Sequence, residues 1–360
     1  MRALAGLILP GLLAAAPAGA ARPDFMLGVD SCYSLDMESK GAQWKWEGQK
    51  QDLFAGMQKQ GARWLRVRLW TSDEGANGRA YATTLVERSS KAGLTPYLVI
   101  FLSDDWADLT KQPAPKAWKD MSLEQRVDAV RDYARATVTH FRAHGLTTHL
   151  YEIGNEIDYG ICGAYPSKHG KKDPLSLAAG PWLDAAKLIE ACQHGVKEAD
   201  PDAKFMLHIA HWWDGDFCVA FFQFMIAHEA QVDYAGLSYY PSSGIGASVT
   251  MAQFEAVLDW LGKEVDRPII IPETGYPSTS DFTGQFASWR HEVPGYPLSP
   301  EGQQKWLGDF LALCRTNSKV IGVFYWSPEY YGEGMWKAFA LFDSEGNARP
   351  AWKAFGARGD

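Results

Sequence analysis

Two apolar stretches of the chain stop on a glutamate. Tyr151-Glu152-Ile153-Gly154-Asn155-Glu156-Ile157 reads as a strand ending at Glu156, with an amide directly before it. Ile269-Ile270-Ile271-Pro272-Glu273-Thr274 reads as another, ending at Glu273. Paired carboxyl groups suit cleavage of a glycosidic bond with retention: one stays protonated and releases the leaving sugar oxygen, while its partner, about 5 to 5.5 Å away, attacks the anomeric carbon. Asn155 fits as a hydrogen-bonding partner for a neighbouring sugar hydroxyl. Taken singly, either glutamate serves equally well as a solvated strand cap, so the pairing rests on the elements that carry them.

Those elements alternate along the whole chain. Strands are expected at 25–32, 64–70, 95–102, 149–157, 204–210, 234–240, 267–274 and 320–326. Helices are expected between them at 49–60, 80–92, 122–144, 181–199, 216–228, 250–265 and 300–317, with a short one near 350–355. Gly61, Gly93 and Gly145 stand where helices should stop. Eight strands alternating with helices, with no linker or low-complexity break, predict a single-domain α/β fold, the (β/α)₈ TIM barrel, over residues 21–360. An open doubly wound sheet is the alternative, but no glycine-rich phosphate loop follows the first strand.

In such a barrel the chemistry sits at the C-terminal strand ends. Those positions carry Asp30, Arg68, Trp70, Asp104, Trp106, Asn155, Glu156, His208, Tyr240, Glu273 and Trp326. Strands four and seven face each other across the mouth, so Glu156 is expected as acid/base and Glu273 as nucleophile, kept ionised by Arg68 and Tyr240. Asp30, Arg68, Asp104, Trp106, Asn155, His208, Tyr240 and Trp326 are the expected substrate-binding set, with Trp212 and Trp213 as further platforms for the apolar faces of sugar rings. For each tryptophan, plain core packing is an equal reading, and a histidine such as His208 is more often a hydrogen-bonded wall than a proton carrier. In Trp64–Trp70 the residues Leu65, Val67 and Leu69 face one way, while Arg66 and Arg68 face the other and need carboxylate partners. Glu152, one pleat deeper than Glu156, fits as a partner for Arg66. Pro272 removes a backbone donor from a strand with two neighbours, which the sequence leaves unexplained.

Composition narrows the partner. A net charge of -8 with 15 Trp, 15 Tyr and 17 Phe in 360 residues disfavours nucleic acid or an anionic membrane and suits a neutral polysaccharide or oligosaccharide. Arg2, the apolar run Leu4–Ala16 and Ala18-Gly19-Ala20 read as a secretory signal over residues 1–20, which predicts a secreted or periplasmic monomer with no membrane anchor after cleavage. The five cysteines are widely spaced with no zinc-like pattern, so no metal and no cofactor is expected, and at most two disulfides are possible.

Several stretches together resemble glycoside hydrolase family 53. They are Gly28-Val29-Asp30, Arg66–Trp70, Leu102–Asp108, Ile153–Ile157, Ser238-Tyr239-Tyr240-Pro241, and Ala340–Asp343 with Gly346 and Pro350. The resemblance runs from Phe25 to Trp352 and implies a retaining arabinogalactan endo-β-1,4-galactanase on a clan A barrel, with Glu156 as acid/base and Glu273 as nucleophile. The chain departs from that pattern at three places. Phe101 stands where the family usually has histidine, Ser242–Gly246 replaces a Trp-His segment, and Ser278–Ser299 lacks the Asp and Asn residues that suit the calcium site of bacterial members. Two other readings remain: a clan A hydrolase acting on mannan or β-glucan, and a non-catalytic carbohydrate-binding barrel.

Overall fold

The computed structural model describes residues 25–246 and 250–356, so the expected signal segment lies outside the described residues. Eight parallel strands close into a barrel: β1 Met26–Asp30, β2 Trp64–Leu69, β3 Thr95–Ile100, β4 Leu150–Ile153, β5 Lys204–Ile209, β6 Tyr234–Leu237, β7 Ile269–Thr274 and β8 Val320–Trp326. Each pairs with its sequence neighbour, and β8 closes on β1 in the register Met26 to Gly322 through Asp30 to Trp326. The helices that return the chain begin on side-chain caps where the sequence provides them. Ser122 with Gln125 and Thr250 with Gln253 form reciprocal capping boxes ahead of Leu123–Ala143 and Met251–Glu264.

Strand alternation divides the interior into two cores. Leu65, Val67 and Leu69 pack outward among the helices, whereas Tyr97, Val99, Phe101, Met206, Ile270 and Phe324 fill the barrel. The fit inside is close: a Cβ on Gly28 would stand 2.4 Å from the Phe324 ring. Above this apolar plug lies a buried charged layer, with Asp30, Arg66, Arg68 and Glu152 all at 0% exposure.

Several expected boundaries move, each for a local reason. The helix expected from Gln49 begins at Leu53, because Asp52 is its N-cap and Lys45–Trp46 pairs antiparallel with Gln49–Lys50 across Glu47 and Gly48, both at positive φ. A short helix, Ser34–Ser39, occupies the expected loop after β1, and another, Pro174–Ala178, the loop before Pro181–Ala199. β4 stops at Ile153 rather than Ile157, since Gly154 (φ 74°) and Glu156 (φ 46°) take left-handed conformations that end the ladder. Pro272 also finds its reason. The β7 to β8 register slips between Ile271 and Thr274, so the ladder skips the position that has no N–H to give. All five cysteines are buried and unpaired.

Candidate active site

Glu273 comes from the end of β7 and Glu156 from the turn after β4, and both line one cavity of about 260 Å³ at the barrel mouth. Trp106, Trp212, Tyr240 and Trp326 line it too, as expected, joined by Phe286, Trp289 and Trp336 from the long loops after β7 and β8. Those three rings are fixed by one another: Phe286 lies 4.7 Å from Trp289 and 4.8 Å from Trp336, and Trp336 packs edge-on to Trp326 at 4.1 Å. A second cavity of about 560 Å³, lined by Tyr33, Trp70 and Asn77, shares Trp106, Asp108, Gln285, Phe286 and Trp326 with the first. The two cavities adjoin along those residues, with the carboxylates in the first.

The electrostatic centre is Arg66, which the sequence reading paired with Glu152 but did not place at the site. Its guanidinium makes five bonds: two to Glu152 (Nε 2.9 Å, Nη2 2.5 Å), and one each to Asp30 (2.9 Å), Glu273 (2.7 Å) and Asn155 (2.7 Å). A planar fork with fixed donors is what such a convergence of acceptors requires. Arg66, not Arg68, is therefore the cation on Glu273. Among the described residues the ion pair of Arg68 is with Asp30, at 3.3 Å, and its guanidinium lies 4.7 Å from the ring of Tyr33, 5.3 Å from Trp106 and 5.7 Å from Trp326. It is fully buried beneath those rings rather than open to the cleft.

The two glutamates differ in their partners. Burial pushes both carboxyls up, and the charge of Glu273 raises Glu156 further. Glu273 has relief from the Arg66 guanidinium and accepts a hydrogen bond from Tyr240 Oη at 3.0 Å. Among the described residues the side-chain partner of the Glu156 carboxyl is the Ser238 hydroxyl, at 2.8 Å, with Asp108 and Asp158 adding negative potential. The surroundings therefore favour a shared proton on Glu156 and an ionised Glu273.

Other expected residues are placed differently from their assigned contacts. Asp30 is wholly buried and serves the arginines. Asn155 is also wholly buried, its amide spent on Arg66 Nη2 and on Ala107 O at 3.0 Å. His208 does not reach the cavity; it lies between Glu152 and Ser238. Asp104 turns away to accept from Lys116 N, and Asp108 stands in the cleft in its place, held by Trp106 Nε1 at 2.8 Å. Phe101 is buried in the inner core against Trp106, so its aromatic ring is barrel packing. Trp213 packs on His211 and Trp212. Ser238 and Asp108 had been legible only as motif members, and Phe286, Trp289 and Trp336 gave no local signal.

No group of three or more His, Cys, Asp or Glu among the described residues is arranged to hold a metal. The family model described as glycosyl hydrolase family 53 matches residues 26–355. An arabinogalactan endo-beta-1,4-galactanase of Cellvibrio japonicus is 30% identical over 92% of this chain and 91% of its own. Among solved structures, the GH53 catalytic domain of Ignisphaera aggregans superposes with a TM-score of 0.80 at 26% identity, covering 92% of this chain and 95% of that one. A fungal beta-1,4-galactanase structure superposes at 0.78 and 24% identity, covering 92% and 98%, which bears on the fold alone. A closed barrel carrying two glutamates of opposite character, matched from end to end by one family model, is a glycoside hydrolase, and the chain belongs to glycosyl hydrolase family 53.

Proposed function

We propose that this protein is a retaining endo-β-1,4-galactanase that cuts within β-1,4-galactan or the galactan part of arabinogalactan. The observation that carries the reading is the asymmetric pair: Glu273 bonded to Arg66 and Tyr240, Glu156 bonded to a neutral hydroxyl. Glu156 gives its proton to the glycosidic oxygen as the bond breaks, and Glu273 attacks the anomeric carbon to form a glycosyl-enzyme. Glu156 then takes a proton from water, whose oxygen replaces Glu273 at that carbon and restores both groups. The second cavity, adjoining the one that holds the carboxylates, supports cleavage inside a chain, and the partly exposed rings of Trp106, Tyr33 and Trp70 suit neutral sugar faces. Galactan as the substrate rests on the relatives' activity, and export rests on the signal-like sequence at residues 1–20. Among the described residues no helix is long and apolar enough to cross a membrane.

The test is product analysis after incubation with galactan, arabinogalactan, mannan and β-glucan, with proton NMR of the first product. Galacto-oligosaccharides released as the β-anomer are expected. Cleavage of only mannan or β-glucan would replace the substrate, an initial α-anomer would replace the mechanism, and binding without cleavage of any would leave a carbohydrate-binding barrel.

A further inference from the structure

Behind Glu156 runs a chain of buried polar groups that the double displacement itself does not use. His208 Nδ1 lies 2.9 Å from Glu152 Oε1, His208 Nε2 lies 2.7 Å from Ser238 Oγ, and Ser238 Oγ lies 2.8 Å from Glu156 Oε1. Glu152, His208 and Ser238 are all at 0% exposure, so no bulk water interrupts the chain. Its direction follows from counting protons. Burial pushes the Glu152 carboxyl up, but the Arg66 guanidinium, first by its charge and then by its hydrogen bonds, outweighs this and holds it down to about 2. Glu152 is therefore an acceptor only, and His208 Nδ1 must carry a hydrogen to face it. Arg66 Nη2, 3.4 Å from the same nitrogen, directs its two hydrogens at the nearer Glu152 Oε1 and Asn155 Oδ1.

With Nδ1 protonated, a neutral imidazole leaves Nε2 as an acceptor, and its neighbour Ser238 must donate to it. The serine oxygen is then free to accept, and the group within reach is the Glu156 carboxyl in its acid form. Every partner is satisfied by one arrangement: Glu156 O–H to Ser238 Oγ, Ser238 O–H to His208 Nε2, His208 Nδ1–H to Glu152.

We propose that His208 and Ser238 are positioning residues that hold Glu156 in its protonated state, with the Ser238 hydroxyl turning from His208 to Glu156 when the proton has been given to the leaving oxygen. No proton leaves through the chain. The hydroxyl rotates about its C–O bond, the carboxylate gains a donor while Nε2 loses one, and reprotonation of Glu156 by the attacking water turns it back. The arrangement favours the acid because the single serine proton serves either the imidazole or the carboxylate. It acts alongside Glu273, Asp108, Asp158 and Tyr240 around Glu156, and Arg66 and Glu152 around His208. It rests on the reading of Glu156 as acid/base.

His208→Leu separates this from a merely structural wall. Without Nε2 the serine donates to the Glu156 carboxylate full time, so the basic limb of kcat/KM moves to lower pH, by about one unit. In a Ser238→Ala background the same substitution leaves that limb where it is. A doubly protonated His208 would donate to Ser238 and favour the carboxylate, so its removal would move the limb to higher pH, and that result or an unmoved limb overturns the proposal. Nitrogen-15 NMR of His208 in the unaltered protein checks the tautomer independently of activity: Nδ1 protonated and Nε2 bare supports it, and a protonated Nε2 overturns it. Failure of the acid/base reading shows elsewhere, as full polysaccharide activity in Glu156→Gln.

Discussion

Arg66→Lys tests the buried charge layer on which the site is built. The guanidinium holds Glu152, Asp30, Glu273 and Asn155 through five bonds from a rigid fork. An ammonium has three N–H groups, so at least two of the five are lost. At about 1.5–3 kcal/mol for a bond involving a charged group, the loss is roughly 3–6 kcal/mol, a large share of the ~5–15 kcal/mol by which domains are stable. Charge is conserved, so the loss reports geometry rather than net electrostatics. The bond to Glu273, made by the tip of the fork, is expected among those lost. Its carboxylate then loses its closest cation, its pKa rises, and activity on the acid side is lost as pH falls through a higher value. Thermal unfolding followed by circular dichroism, with kcat/KM against pH, reads both effects. A midpoint within about 2 °C of the parent, together with an unmoved acidic limb, would refute the reasoning.

Glu273→Gln should abolish turnover while leaving the fold and sugar binding intact, whereas Glu156→Gln should retain activity only on aryl glycosides whose leaving group needs no proton; near-normal galactan hydrolysis by either would remove that residue from its role. Glu329, fully buried and accepting from Tyr33 N at 2.9 Å, has its carboxyl pushed up to about 8, mainly by burial. Between its unfolded value near 4.5 and about 8 the folded protein holds a proton that the unfolded chain has lost, so stability falls as pH rises by about 1.4 kcal/mol per unit. Glu329→Gln should flatten that slope in chemical denaturation at pH 5 and pH 8, and parallel curves for the two proteins would show that the group does not titrate there. Phe101→His places a polar ring in the apolar plug and should cost about 1–3 kcal/mol in urea unfolding without changing the galactan-to-glucan ratio of kcat/KM; an increased ratio would mean that the position contacts substrate after all.

Alternation and punctuation are local, and they were enough for the barrel. Leu65, Val67 and Leu69 turn outward because a strand reverses its side chains at every residue, and Glu273 and Glu156 stand at the mouth because one lies at the end of its strand and the other in the turn just after its own. Gly61 and the Ser122 and Thr250 caps likewise act within a few residues of themselves. What the sequence left open was which inward groups meet. Arg66 and Arg68 share a face, and choosing between them required knowing that Asp30, Glu152 and Glu273, separated from Arg66 by 36, 86 and 207 residues, converge at its depth in the barrel. The same holds for His208, which lies under Ser238 rather than at the cleft, and for Asp104, whose backbone turn leaves the opening to Asp108. The rings of Phe286, Trp289 and Trp336 come from loops whose course is set by packing against one another and against β8, a contact that no periodicity records. Identity and order along the chain determined the carboxylates; closure of the barrel decided their different surroundings, because only closure brings the cation to one and a hydroxyl to the other.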